Sequence, residues 1–170
     1  KIEDMHQWGD DNDKLEEHHG YIQWLFPTCT SSKYNTGSQI LNLYEINIFR
    51  TSLQLRTRFE TSLKMMLRFL GADFDNGKVS RSNEWKIRQR NLQLHPHNNK
   101  RITRILASCN ELGFKKEQLS ILKFLIHQCF GKDSLLSSCV DACRDYWVKT
   151  LINEPERADM EVLIASVENA

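Results

Sequence analysis

Apolar residues recur every three or four positions along most of this chain, and that spacing constrains the fold more than any other feature. It is the period of one face of an α-helix. Two clear stripes are Phe59, Leu63, Met66, Leu67 and Leu70, and Ile102, Ile105, Leu106, Cys109 and Leu112. No alternating strand pattern runs over a useful length. We therefore predict an all-α fold, a single compact bundle-like domain of about six or seven helices over residues 1–170.

Capping residues, glycines and prolines set the ends of the predicted helices. Asp13-x-x-Glu16 has the form of a capping box and predicts a first helix over 15–24, ended by Pro27. The other predicted helices are a region from Asn42 to Gly71, a shorter helix over 79–92, a helix from Asn98 or Asn99 to Gly113, a core helix over 119–130, a helix capped by Asp133 or Ser134, and a last helix with Pro155 in its first turn.

The composition is that of a folded protein without a membrane-spanning helix. Apolar residues make up 40% of the chain and charged residues 26%, which is ordinary for a globular domain. No uninterrupted apolar run approaches the roughly 20 residues that a transmembrane helix needs, and we expect no secretory signal in the acidic, polar start. The five cysteines form no Cys-x-x-Cys pair, and most fall on apolar helical positions. We expect buried, reduced thiols in an intracellular protein.

Charge is unevenly distributed along the chain, although the net charge is only +1. Residues 50–104 contain thirteen Lys and Arg against four Asp and Glu, whereas residues 1–49 contain three against eight. The basic middle third is a candidate for contact with an acidic partner. The alternative is that it neutralises the acidic N-terminal third within the same fold, and the sequence leaves both interpretations open.

The motifs of common enzyme classes are absent from the sequence, which has no glycine-rich phosphate loop, HExxH or GxSxG. We predict a non-enzymatic protein with no catalytic residues and no cofactor. His18 and His19 are adjacent and would point about 100° apart on a helix. His95 and His97 flank a proline and have no carboxylate or cysteine nearby in the sequence. We therefore expect no metal site and interpret 95–97 as a rigid lead-in to the next helix.

Asn98-Asn99-Lys100-Arg101 is the sharpest local binding feature. It places amides, cations and unpaired backbone N–H groups at a predicted helix N-terminus, where a phosphate or carboxylate can bind. The cations oppose the helix dipole, so we expect an acidic neighbour, and we favour the segment 10–17 of this chain over a ligand. The alternative is a nucleic-acid strip with Trp85 as its stacking residue and Arg104 beside it. Its residues are Arg81, Lys86, Arg88, Arg90, Asn98, Asn99, Lys100 and Arg101.

Two segments go beyond generic helices. Residues 15–27 read Leu-Glu-Glu-His-His-Gly-Tyr-Ile-Gln-Trp-Leu-Phe-Pro, and residues 98–106 read Asn-Asn-Lys-Arg-Ile-Thr-Arg-Ile-Leu, followed by Glu-Leu-Gly at 111–113. Both resemble signatures of the opioid growth factor receptor family, and the resemblance covers roughly residues 8–152. Shorter matches begin at Asn42 and at Arg88. The resemblance implies an intracellular receptor for methionine enkephalin that acts in the nucleus and perinuclear cytoplasm and restrains cell proliferation, with further protein partners possible.

The family supplies no ligand-contact residues, so the peptide site is argued from chemistry. A peptide with an N-terminal amine and tyrosine, followed by Phe and Met, calls for an acidic group beside an aromatic surface and a cation for its C-terminal carboxylate. The candidate residues are Glu16, Glu17, Tyr21, Trp24, Arg101 and Arg104. The segment 21–26 is so apolar that we expect Trp24 and Phe26 to be packing residues of the core.

Overall fold

The computed structural model describes residues 1–9 and 11–170. The protein is mostly helical, but the described residues contain ten α-helices and a β-hairpin, so the prediction of six or seven helices and no strand is too simple. The elements are α1 (Ile2–His6), α2 (Asn12–Glu17), α3 (Ile22–Leu25), α4 (Leu43–Thr51), α5 (Leu53–Phe69), β1 (Ala72–Asp75), β2 (Lys78–Arg81), α6 (Trp85–Leu94), α7 (His97–Leu112), α8 (Lys115–Phe130), α9 (Val140–Ala142) and α10 (Glu154–Glu168).

The predicted helix over 15–24 is broken into α2 and α3. The N-cap of α2 is Asp11 rather than Asp13, and its carboxylate accepts a hydrogen bond from the backbone N–H of Lys14 at 3.0 Å. The chain leaves the helix at His18, whose backbone is extended. The carbonyls at the end of α2 bind the side chain of Arg101 instead of continuing the helix. A tertiary contact therefore overrides the local helical pattern.

The second helical region opens at Asn42 as predicted, with a capping box. The side chain of Asn42 accepts from the N–H of Glu45 at 3.0 Å, and the Glu45 carboxylate accepts from the N–H of Asn42 at 2.9 Å. Ser52 then interrupts the region, since it ends α4 and also caps α5. This break adds one more helix to the count.

The region ends at Gly71 as predicted, and a β-hairpin follows, whose second strand lies where we expected the start of a helix. Gly71 has a φ of +86°, and a Cβ there would lie 2.7 Å from Cβ of Arg88. Strands β1 and β2 pair antiparallel with Phe74 opposite Val79, joined by Asn76 and Gly77, both with positive φ. Four-residue strands are too short to give a visible alternation. The predicted helix over 79–92 is therefore wrong at its start, and α6 begins at Trp85.

Helix α7 packs against α8 in the middle of the core. The predicted apolar stripe of α7 is buried, and Gly113 ends the helix with a φ of +81°. Neither Asn98 nor Asn99 caps it, because the helix already begins at His97, after Pro96. Arg101 and Ser108, which lie outside that stripe, are also buried. The segments around α2 and α3 cover them and accept hydrogen bonds from both side chains.

The predicted helix after Gly131 is an irregular helical segment over 137–150, and neither Asp133 nor Ser134 caps it. It consists of a 3₁₀ turn (Ser137–Cys139), α9, a π-helical turn (Cys143–Trp147) and a second 3₁₀ turn (Val148–Thr150). Its apolar residues Leu136, Cys139, Cys143, Trp147 and Leu151 are nevertheless buried. The indole of Trp147 donates to the Asn99 carbonyl at 3.1 Å. Pro155 lies in the first turn of α10 as predicted.

The cysteines support the expectation of buried thiols. Four are buried and Cys29 is exposed, and all five are free. Burial raises the pKa of the Cys109 thiol, which keeps that group protonated and inert as a nucleophile. The four buried thiols contribute to packing.

Candidate functional site

Arg101 is a buried part of the architecture. Only 5% of the residue is exposed. Its guanidinium donates to the carbonyls of Leu15 at 2.9 Å, Glu16 at 3.0 Å and His18 at 3.2 Å, and to Oδ1 of Asn98 at 3.0 Å. As expected, the segment 10–17 of this chain lies against the Arg101 side chain. The groups that accept from the guanidinium are backbone carbonyls, however, and not carboxylates. Asp10 itself lies outside the described residues.

Glu16 lies beside Arg101 in a cluster of polar side chains. One carboxylate oxygen, Oε2, accepts from the amides of Asn91 at 2.5 Å and Asn98 at 3.1 Å. The other, Oε1, lies 2.5 Å from Nε2 of His97 and 3.9 Å from Nδ1 of His95. Burial alone would raise the pKa of Glu16, but the two amides and the nearby positive groups lower it below its ordinary value.

The two histidines therefore have a carboxylate neighbour, contrary to our expectation. The sequence around residue 95 gives no sign of this carboxylate, because Glu16 lies nearly eighty positions earlier in the chain. One ring nitrogen of His95, one of His97 and one carboxylate oxygen of Glu16 lie within 4.8 Å of one another. Burial lowers the pKa of His97, and the Glu16 carboxylate opposes that shift.

The aromatic residues of segment 21–27 divide between core and surface. Tyr21 is fully buried, its hydroxyl donates to the Leu15 carbonyl at 3.0 Å, and burial raises its pKa to about 12. Phe26 is fully buried as expected, but Trp24 is 44% exposed, so its predicted burial is wrong. Helix α3 has only four residues, and its neighbouring side chains already fill the inward face. Tyr21 and Arg101 are therefore core residues, while Trp24 is open to solvent.

We define the α3–α7 surface as Trp24, Tyr34, Lys100 and Arg104. Arg104, on α7, donates to the Phe26 carbonyl at 2.8 Å, which ties α7 to the chain just after Trp24. Burial lowers the pKa of Arg104, which stays charged near neutral pH. Lys100 lies one helical turn earlier and donates to the Tyr34 hydroxyl at 2.6 Å, 4.7 Å above the ring centroid. Tyr34 is 69% exposed. Sequence reasoning missed it, although an aromatic residue in a polar loop was a usable signal.

Glu17 is the remaining predicted site residue. It is the last residue of α2 and is exposed. Because its side chain is exposed, it is available to a positively charged group in solution.

The predicted basic strip is dispersed rather than continuous. Lys86 and Arg90 are exposed on α6, but the proposed stacking residue Trp85 is buried in the core. Arg81 donates to the Gln128 side chain at 2.8 Å, and Arg88 pairs with Glu84 at 3.5 Å. Two further residues of the strip already make hydrogen bonds within the protein, Lys100 to the Tyr34 hydroxyl and Arg101 to the carbonyls at the end of α2.

The expected anion site at the start of α7 is closed as well. Asn98 is buried with its amide on Glu16. The backbone N–H groups of Asn98 and Asn99, which we expected to be unpaired, donate to the carbonyls of His95 and Pro96. A phosphate would have to displace these contacts.

Within the part of the chain that the structure describes, no helix combines the length and the apolar character needed to cross a membrane.

Known proteins match most of the chain. A sequence model of the opioid growth factor receptor conserved region matches residues 1–168. The opioid growth factor receptor-like protein 1 of Mus musculus is 34% identical over 155 residues, covering 90% of this chain and 33% of that protein. The opioid growth factor receptors of Mus musculus and Homo sapiens are 39% and 38% identical, covering 80% and 79% of this chain and 22% and 20% of theirs.

This chain spans a third or less of the length of those relatives. No solved structure matches it. The resemblance seen in segments 15–27 and 98–106 is confirmed by matches over nearly the whole sequence. The chain therefore belongs to the opioid growth factor receptor family.

Proposed function

We propose that this chain is a non-enzymatic intracellular receptor domain that binds an enkephalin-type peptide on the α3–α7 surface. Following its family, we further propose that it acts in the nucleus and perinuclear cytoplasm to restrain cell proliferation. Membership in a family whose members are named receptors supports a receptor role. The observation that carries the proposed site is the exposure of Trp24 within a segment whose other large apolar residues are buried.

A single exposed tryptophan is ordinary on a protein surface, so a binding site also requires suitable neighbouring residues. The chain just after Trp24 is tied to α7, because Arg104 donates to the Phe26 carbonyl, and one turn earlier on α7 Lys100 donates to a second exposed aromatic residue, Tyr34. Trp, Tyr and Arg are the residues most enriched at the centres of binding interfaces. The set combines apolar area with positive charge, which suits a short peptide that is aromatic and carries a free carboxylate.

The chemistry of the peptide fits this surface group by group. Its aromatic side chains can pack on Trp24 and Tyr34, where offset or edge contacts between rings are favourable. Its C-terminal carboxylate can accept from Lys100, which is exposed at the first turn of α7. Its N-terminal amine requires an acidic partner, and the exposed Glu17 at the end of α2 is the nearest candidate along the chain.

Peptide binding would exchange one existing contact. Lys100 now donates to the Tyr34 hydroxyl at 2.6 Å. A carboxylate is a stronger acceptor for an ammonium group than a neutral hydroxyl is, so the exchange favours the ligand. The side chain of Tyr34 would then be free to turn its ring toward the peptide.

Calorimetric titration with methionine enkephalin, and with a scrambled peptide as control, tests the proposal. The wild-type chain should bind the authentic peptide with saturation, and Trp24→Ala and Lys100→Ala should each weaken binding at least about tenfold, the equivalent of about 1.4 kcal/mol. Tyr146→Ala and Lys123→Ala are matched controls at exposed positions elsewhere, and they should bind like the wild type.

Two results would contradict the proposal. Silence with the authentic peptide would remove the peptide site from this chain and leave a role in contacts with other proteins. Equal binding by wild type and Trp24→Ala would place the peptide on another surface. The nucleic-acid alternative has less support, because Trp85 is buried and Arg81 and Arg101 are already engaged.

A further inference from the structure

One carboxylate and two imidazoles converge where the end of α2 meets the start of α7. The ligand atoms of Glu16, His95 and His97 all lie within 4.8 Å of one another. In a tetrahedral site with metal–ligand bonds of about 2.0–2.2 Å, the ligand atoms lie roughly 3.3 Å apart. The observed separations from Oε1 of Glu16 are 2.5 Å to His97 and 3.9 Å to His95 and bracket that value. Small side-chain rotations would equalise them.

The carboxylate is held by a second set of polar groups. The amide of Asn91 donates to Oε2 of Glu16, and the amide of Asn98 donates to both oxygens, at 3.1 Å to Oε2 and 3.3 Å to Oε1. These bonds fix the carboxylate with Oε1 facing the histidines. The orientation of Asn98 is itself fixed, because its Oδ1 accepts from Arg101 at 3.0 Å. Metal sites are commonly built in this way, with hydrogen-bonded outer groups that orient the ligating carboxylate.

The histidine side of the cluster is pre-organised, and the Glu16 carboxylate is its neighbour. Pro96 limits the backbone between His95 and His97. The Nε2 atom of His97 is buried, and although it lies 2.5 Å from the Glu16 oxygen, it makes no hydrogen bond of acceptable geometry. The two imidazole side chains are 43% and 36% exposed, so the cluster lies near the protein surface.

We propose that Glu16, His95 and His97 bind a divalent transition-metal ion of the zinc type. Two imidazoles and one carboxylate form a donor set that suits zinc and neighbouring transition metals rather than calcium or magnesium. Three protein ligands leave a coordination position open. His19 lies beside the site, with its ring centroid 5.2 Å from that of His97, but it is not one of the three residues whose ligand atoms converge. The charge of Arg101 opposes the ion, but its N–H groups are directed to the carbonyls of the α2 end.

Calorimetric titration of the untagged chain with Zn²⁺ tests this site. The wild type should bind one equivalent. His95→Ala and His97→Ala should each weaken binding by more than the about 10- to 100-fold loss typical of removing an outer-shell partner. His127→Ala is the matched control, because His127 is an exposed histidine on α8. Glu16→Gln keeps an acceptor for Asn91 and Asn98 but loses the negative charge, and it should also weaken binding.

The results separate the site from adventitious binding and from a folding defect. X-ray absorption of the zinc-loaded wild type should show two imidazole ligands, and circular dichroism should show that each variant keeps the wild-type helical signal. The proposal is overturned if the wild type binds no zinc, or if His95→Ala and His97→Ala bind it as tightly as His127→Ala does. The peptide proposal is tested by a different titration, with enkephalin and the Trp24→Ala variant. Failure of the zinc site therefore does not decide the peptide site, and the reverse also holds.

Discussion

Replacing Arg101 with alanine should destabilise the protein strongly, because the side chain joins α7 to the end of α2. The guanidinium donates to the carbonyls of Leu15, Glu16 and His18. A buried acceptor without a donor costs about 1–3 kcal/mol. The Leu15 carbonyl would keep the Tyr21 hydroxyl, and the other two carbonyls lie close enough to the surface to recruit water. Hydrogen bonds from a charged donor contribute about 1.5–3 kcal/mol each, and water replaces them only in part, so we expect a loss of about 3–5 kcal/mol.

Urea unfolding followed by circular dichroism measures this loss directly. For a chain of this size the same change lowers Tm by about 6–20 °C, at about 2–4 °C per kcal/mol. Arg90→Ala is the control, since Arg90 is exposed on α6 and its removal should change the free energy of unfolding by no more than about 0.5 kcal/mol. If Arg101→Ala lost no more stability than Arg90→Ala, the architectural role of Arg101 would be refuted.

Three further predictions concern stability measured in urea. Phe26→Ala should lose about 3–5 kcal/mol because its ring is fully buried, whereas Trp24→Ala should lose only about 1 kcal/mol or less; equal losses would contradict the division of segment 21–27. Gly71→Ala should lose about 1–3 kcal/mol, since the φ is +86° and the added Cβ meets Arg88 at 2.7 Å. Burial lowers the pKa of His6 below its ordinary value of 6.5, so the free energy of unfolding should decrease as the pH falls below about 6.5. His6→Gln should flatten this decline, and an unchanged pH profile in that variant would contradict the role of His6.

The helical class and the core were predictable because they depend on repeated local patterns. The stripes ending at Leu70 and Leu112 are buried as expected, and the helix start at Asn42 and the terminator Gly113 lie where the sequence places them. The break between α2 and α3 was not predictable, because Arg101 takes the carbonyls that a longer helix would use. Periodicity carries no information about such long-range partners.

The binding residues were harder to assign than the helices for the same reason. Hydrophobicity alone cannot tell which aromatic residue of a short helix faces outward, so Trp24 was assigned to the core and is exposed. The neighbours of His95 and His97 come from residue 16, nearly eighty positions away in the sequence. Only folding brings that carboxylate and those imidazoles together.

Nuclear magnetic resonance titration of the isotope-labelled chain with methionine enkephalin tests the proposed peptide surface most directly. The indole N–H of Trp24 and the backbone amides around Tyr34 and Lys100 should shift progressively and saturate, while the amides of Tyr146 on the irregular segment stay fixed. Absence of shifts, or shifts confined to the neighbourhood of Lys86 and Arg90 on α6, would contradict peptide recognition by the α3–α7 surface.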